Sequence, residues 1–157
     1  MRLPRLSHAA ILGLALGAAA CSGSTTSPTT TSTTTSTATL VNEVVTGTVP
    51  VPVNGVLQAS SSPFTIAASG GAIAVTLTSA VETMPDGTLL PTVTMGLGIG
   101  AWSNGTCTLL SGGFTTAQAS ATAQLSGTIN SGAYCVQVSD VTNQVGPVAY
   151  AVALSHY

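Results

Sequence analysis

The chain has 157 residues, of which 45% are hydrophobic and only 4% are charged, and its formal net charge is −2. Lysine is absent, and both arginines, Arg2 and Arg5, stand at the N-terminus. Because phosphate groups are neutralised by Lys and Arg, this composition predicts that the protein has no nucleic-acid partner.

Residues 1–20 are predicted to be an export signal. Arg2 and Arg5 form a short basic segment, and an uncharged stretch rich in Ala, Leu and Gly follows. The apolar run over residues 9–20 is shorter than the roughly 20 residues that a membrane-spanning helix needs. The segment is therefore predicted to be removed rather than to span a membrane.

Cys21 follows three alanines at the end of this signal. The arrangement resembles a bacterial lipobox, in which the cysteine is lipidated and becomes the first residue of the mature chain, although Ala18 stands where leucine is usual. Ala18-x-Ala20 is also compatible with ordinary signal-peptidase cleavage, which would leave a secreted, soluble chain. The other two cysteines can pair with each other in an oxidising compartment, so we predict lipidation of Cys21.

Such an anchor would attach the protein to a bacterial membrane, since two or more acyl chains give stable binding. Ser22 is compatible with sorting to the outer membrane. Residues 22–39 are almost entirely Ser and Thr, so this segment has little to bury and is predicted to be a disordered tether. As a flexible coil, it would have a root-mean-square reach of about 25 Å.

Residues 40–157 are predicted to form one all-β domain. Pro50 and Pro52 limit "TVPVPV" to an edge strand or an extended lead-in, and Asn54-Gly55 predicts a two-residue hairpin. Short alternating runs follow, with a turn expected at Ser69-Gly70-Gly71 and another at Asn130-Ser131-Gly132. The residues predicted to face inward are Phe64, Ile66, Ile73, Val75, Leu77, Val93, Met95, Leu97, Ile99, Leu125, Ile129, Tyr134, Val136, Val138, Val148, Tyr150, Val152 and Leu154.

Many short alternating strands separated by turns favour an antiparallel β-sandwich. In "PTVTMGLGIGAW" the face opposite the apolar residues includes Gly96, Gly98 and Gly100. Such a face is expected to pack closely against something flat or to lie beneath another backbone. Cys107 and Cys135 are the natural disulfide pair, and alternation puts Cys135 on the face away from the core. The bond is therefore expected to tie a neighbouring strand or loop from outside the core.

Four segments resemble the bacterial pre-peptidase C-terminal domain: "PFTIAASGGAIAVTLTS", "VTMGLGIGAWSNGTCTLLSG", "LSGTINSGAYCVQVSDV" and "VAYAVALSH". The resemblance runs from about Val44 to His156, and it implies a β-sandwich of jelly-roll character. Some relatives bind calcium through acidic loop residues. In this chain that implies Asp86 and Asp140 as candidate ligands, with Glu82 nearby. The alternative for each aspartate is a turn-forming role.

Catalytic motifs are absent from the sequence. His156 stands one residue from the C-terminus and is expected to be frayed or to cap a strand, and no G-x-S-x-G elbow accompanies it. No His/Cys cluster has zinc spacing, and no glycine-rich loop resembles a nucleotide site. The protein is thus predicted not to be an enzyme. A small hydrolase built on Asp86, Asp140 or His156 is the third alternative.

The leading prediction is a non-catalytic, surface-tethered module that contacts an envelope protein or glycan, without a required cofactor. The second is carbohydrate binding through Trp102, which lies in the loop-like "GAWSNGTC". A lone tryptophan beside a disulfide is more often a packing residue than a sugar platform. Self-association is a further prediction, because few charges guard the edge strands against pairing with another chain.

Overall fold

The computed structural model describes residues 39–67 and 70–157, which form nine β-strands and no helix. Accordingly, none of these residues belongs to a helix that could cross a bilayer. The predicted signal, Cys21 and almost all of the predicted tether lie outside the described residues. The strands are β1 (Val41–Val49), β2 (Ala59–Ile66), β3 (Gly71–Thr83), β4 (Leu89–Pro91), β5 (Met95–Ser103), β6 (Thr106–Ala117), β7 (Leu125–Ile129), β8 (Gly132–Ser139) and β9 (Val148–His156).

The strands form two antiparallel sheets that pack face to face as a β-sandwich. Sheet I contains β1, β9, β3 and β4 in that order, with β7 also paired to β3. Sheet II has the order β2-β8-β5-β6. With the three-residue β4 set aside, the orders 1-9-3-7 and 2-8-5-6 are those of a jelly roll, so the predicted fold class is confirmed.

The core lies between the sheets and is built from alternate residues of each strand. Val136 and Val138 of β8 point inward, as do Val152 and Leu154 of β9, and all four are buried. Almost all of the residues predicted to face inward belong to this core, with Leu125, Ile129 and Tyr134 packed against it while partly buried. The alternation of apolar and small polar residues therefore correctly predicted which side chains face the core.

A bulge in β3 changes which side chains face the core. The register of β3 against β9 shifts between Leu77 and Ser79. Before the shift, odd-numbered residues such as Val75 are buried, whereas after it the buried residues are Ala80 and Glu82. One extra residue in a strand reverses the alternation of its side chains. The bulge therefore places the Glu82 side chain on the core side of β3.

Gln124 completes the outer edge of β3. That edge pairs with β7 over Gly71–Val75 and with β4 over residues 81–83, which leaves a gap between them. The Gln124 side-chain oxygen accepts a hydrogen bond from the Leu77 amide at 2.8 Å, and the Gln124 backbone N–H donates to the Val75 carbonyl at 3.0 Å. The side chain and the backbone of Gln124 thus satisfy β3 groups that no strand pairs in this gap.

The predicted turn at Asn54-Gly55 is confirmed. Both residues have positive φ, 52° and 75°, and Val53 and Val56 form a β-bridge around them. This is the geometry that favours Asn-Gly. At the turn after β2, Ser69 lies outside the described residues, while Gly70 has a φ of 64° and Gly71 begins β3.

Candidate functional site

The Cys107–Cys135 disulfide is present and joins two strands of one sheet. Cys107 belongs to β6 and Cys135 to β8, and their Cα atoms are 5.8 Å apart. Both strands flank β5 in sheet II. The bond therefore ties sheet II on its outer face and does not link the two sheets, as the alternation of β8 predicted.

Three glycines of β5 line the same outer face, and we refer to Gly96, Gly98 and Gly100 as the glycine floor. A Cβ placed on Gly96 would lie 2.8 Å from the Phe114 ring, and one on Gly98 would lie 2.5 Å from a Leu109 methyl group. Such distances are shorter than carbon atoms tolerate. Gly96 and Gly98 are therefore covered by side chains of the neighbouring strands, whereas Gly100 lies closest to the Thr108 backbone.

These covering side chains remain open to solvent. Phe114 is 46% exposed and Leu109 is 37% exposed. They stand opposite Gly98 and Gly100 in the β5–β6 ladder. We call the surface formed by Trp102, Leu109, Phe114 and the glycine floor the outer platform. Because the floor has no side chains, the Phe114 ring packs against the β5 backbone, while much of the residue remains exposed.

Trp102 lies at the end of β5 and not in a loop, which corrects the sequence-based expectation. It stands opposite Cys107 in the ladder, and the hairpin turn that follows is Asn104-Gly105, both with positive φ. By alternation Trp102 shares the face of the glycine floor, and its side chain is partly exposed. It is neither buried in the core nor fully open to solvent.

Uncharged polar groups border the outer platform. The Gln137 amide nitrogen donates a hydrogen bond to the Ser61 hydroxyl at 3.1 Å, and Gln137 stands opposite Gly98 in the β5–β8 ladder. Thr116 stands opposite Gly96 on the other side and is exposed. An apolar centre with an amide and hydroxyl border suits a ligand that combines apolar faces with neutral hydrogen-bonding groups.

A cleft of about 230 Å³ opens between β6 and β7. Its lining includes the core residues Ile73 and Ile99 and a bulged part of β6, where Gly112 has a φ of 73°. None of the residues that line it ionises. This volume lies below the roughly 300–1,000 Å³ of most small-molecule sites.

Glu82 has a structural role beneath the loop between β8 and β9. Its carboxylate accepts hydrogen bonds from the amides of Val145 and Gly146 at 2.5 and 2.7 Å, and its side chain is buried. Charged acceptors make strong hydrogen bonds in such places. A Cβ on Gly146 would overlap the Thr83 carbonyl, so only glycine allows this approach.

Gln144 connects the same loop to the end of β1. Its side-chain amide nitrogen lies within hydrogen-bonding distance of three backbone carbonyls, those of Val49 at 2.9 Å, Pro50 at 3.1 Å and Gly146 at 2.8 Å. The residue is buried. Together with Glu82, it fixes the loops at this end of the sandwich, a role that no sequence pattern indicated.

The two loop aspartates both close turns. The Asp140 carboxylate accepts from the Asn143 amide at 3.2 Å. Asp86 accepts from the Thr88 hydroxyl at 2.7 Å and from the Thr88 amide at 2.9 Å, and these bonds hold the pKa of the Asp86 carboxyl below its usual value. Each contact is the turn-forming role that the sequence left open as the alternative to calcium binding.

His156 is an ordered core residue, which corrects the expectation of a frayed end. It is 4% exposed, its ring centre lies 5.5 Å from that of Phe64, and its Nε2 atom lies 3.3 Å from Glu43 Oε1. Its other ring nitrogen has no hydrogen-bond partner among the described residues. A Ser–His arrangement needs a hydroxyl on the imidazole, and none of the described hydroxyl groups provides it.

Within residues 39–67 and 70–157, no three His, Cys, Asp or Glu side chains come together as a metal site. Glu82, Asp86 and Asp140 therefore do not form a joint cluster. No known protein family, characterised protein or solved structure matches this chain. Its likeness to the pre-peptidase C-terminal domain stays a prediction based on the residues quoted above.

Proposed function

We propose that the protein is a non-catalytic binding module, tethered to the bacterial cell envelope by a lipid on Cys21, and that the outer platform is its contact surface. The observation that carries this proposal is Phe114, an aromatic residue that is 46% exposed and packs on a floor of glycines. Exposed apolar patches with a polar border are characteristic of contact surfaces. A ring supported from below by backbone also loses little conformational freedom on binding.

The chemistry of this surface limits its partner. Trp102, Leu109 and Phe114 carry no charge, and the polar side chains beside them are an amide and hydroxyls. Lysine and arginine are absent from residues 39–157, so an anionic partner would find no basic group. The partner is therefore a protein or glycan whose contact region is apolar and uncharged.

The contact surface can be tested by photo-crosslinking in the native host. A photoreactive residue replaces Thr116, which is exposed at the border of the platform, and a second chain carries it at Thr128, on the outer face of sheet I. We expect a crosslinked envelope component from position 116 and none from 128. Adding Phe114→Asp should abolish the product at 116. Equal crosslinking from both positions would contradict the proposal.

The tether is tested separately by the intact mass of the detergent-extracted protein. We expect a chain that starts at Cys21, carries an acyl-sized addition, and is two hydrogens lighter because of the Cys107–Cys135 bond. An unacylated chain starting at the same residue would contradict the lipid anchor. It would support the secreted, soluble alternative, in which Cys21 is a free thiol or forms an intermolecular link.

Carbohydrate binding through Trp102 is the second candidate function. It is favoured because Trp102 and Phe114 lie on the same face of sheet II, with the amide of Gln137 at its border. Indole and phenyl rings stack on sugar faces, while amide groups bond hydroxyls. Because the chain has one tryptophan, its fluorescence reports this site directly. We expect a saturable change with neutral oligosaccharides that Phe114→Ala weakens. Absence of any change across a panel of neutral oligosaccharides would rule this candidate out.

A further inference from the structure

β1 is an edge strand that exposes apolar side chains. Within the described residues, it pairs with β9 alone, through a continuous register from Val41–His156 to Val49–Val148. Val44 is 67% exposed at this edge, and Leu40 and Val41 are also exposed. An unpaired edge of this kind presents a row of backbone donors and acceptors to another strand.

Most of the usual protections of an edge are missing within β1. Val41–Val49 contains no proline and no lysine, and its register against β9 shows no bulge. Its only charged residue is Glu43, whose carboxylate lies 3.3 Å from His156 on the same sheet. Pro50 and Pro52 follow directly, so protection begins only where the strand has ended.

We propose that β1 pairs antiparallel with β1 of a second copy of this chain, about a two-fold axis at Val45. The two copies of sheet I would then form one continuous sheet. Val41 of one copy would oppose Val49 of the other, which gives nine residue pairs. Two-fold pairing of identical edges is a common way to build a symmetric dimer.

Charge and proline positions are compatible with this register along the whole of β1. Centred on Val45, the pairing places Glu43 opposite Gly47 of the second copy, so no like charges meet. A pairing centred on Glu43 would set two carboxylates directly opposite each other, which is destabilising. Pro50 lacks an N–H group, so it ends the ladder at the pair formed by Val41 and Val49. The exposed Leu40 would then lie beside Pro50 of the second copy.

The test measures the mass in solution of the full chain extracted from its host in mild detergent, by sedimentation at increasing concentration. We expect a two-copy species for the unaltered chain and its loss in the variant V44D/T46D. Both side chains are exposed, so the substitutions should leave the fold intact, while four carboxylates would meet at the dimer axis. The matched control is S126D/T128D, which adds the same charge at β7, the opposite edge of sheet I, and should keep the two-copy species.

Hydrogen exchange provides a second readout that does not depend on mass. In the unaltered chain, the amides of Val41–Val49 should exchange more slowly as concentration rises, and V44D/T46D should remove this dependence. A single-copy mass at every concentration would overturn the proposal. So would a two-copy species that V44D/T46D leaves unchanged, because the contact would then lie elsewhere. Neither result would bear on the outer platform, which belongs to sheet II.

Discussion

The Cys107 sulfur lies against the backbone of Gly100, so that a Cβ on this glycine would approach it to 2.8 Å and the Thr108 carbonyl oxygen to 2.6 Å. Gly100 stands opposite Cys135 in the β5–β8 ladder. The disulfide between β6 and β8 therefore requires a residue without a side chain on the strand between them. This explains one glycine of the floor by a specific contact.

Gly100→Ala should destabilise the protein by about 1–3 kcal/mol, since the added methyl group meets backbone that cannot move away freely. Urea unfolding measures the change. The matched control is Gly127→Ala in β7, where a Cβ would meet nothing within 4 Å. We expect that control to stay within about 0.5 kcal/mol of the unaltered chain. Equal losses in both variants would contradict the role given to Gly100.

Replacing both cysteines, C107S/C135S, should lower the free energy of unfolding by about 3.5 kcal/mol. The bond closes a loop of 28 residues, and the chain-entropy account gives this magnitude for such a loop. The change appears as a lower urea midpoint, and the reductant-treated parent should shift in the same direction. A double variant as stable as its parent would show that the bond does not restrict the unfolded chain in this way.

Glu82→Ala should destabilise the protein by about 3 kcal/mol, because the amides of Val145 and Gly146 would lose their buried acceptor. Glu43→Ala removes the same charge from a partly exposed contact with His156, and we expect a loss below about 1 kcal/mol. Thermal unfolding of both variants measures how much stability each substitution removes. A smaller effect at Glu82 than at Glu43 would refute the structural role of the buried carboxylate.

Asp86 should titrate below its usual pKa of 3.8, because the Thr88 hydroxyl and amide favour its charged form. Any stability that it contributes is therefore present at neutral pH and is lost as the pH falls through its folded pKa. In Thr88→Val the hydroxyl bond is gone and the amide bond remains, so the pKa should rise toward 3.8 without exceeding it. Carbon-detected NMR titration measures the pKa of Asp86 in both chains. Identical pKa values would show that the Thr88 hydroxyl does not lower the pKa of Asp86.

The sequence predicted the sandwich well because, in strands without a bulge, alternation determines which residues face the core. Val136 and Val138 were placed inward and Cys135 outward, and the structure agrees. The turn at Asn54-Gly55 was also predicted correctly, because Asn and Gly readily adopt the positive φ that this turn requires. These features depend on neighbours within a few residues.

Features that depend on distant contacts were not predicted. The bulge after Leu77 carries no local sequence signal, and it turns Glu82 from a loop neighbour into a buried acceptor. Phe114 was not assigned to a site, because its position over Gly98 follows from the β5–β6 pairing. The run of alternating glycines in β5 was the available signal, since it indicated that a layer covers this face.

Hydroxyl-radical footprinting of the purified protein and of the protein in its native envelope tests the outer platform most directly. Oxidation of Phe114, Leu109 and Trp102 is measured in both states, with the exposed residues Leu89 and Leu90 of β4 as internal controls. If the platform is the contact surface, oxidation of its three side chains falls in the envelope while that of β4 is unchanged. Equal oxidation of Phe114 in both states would contradict the account.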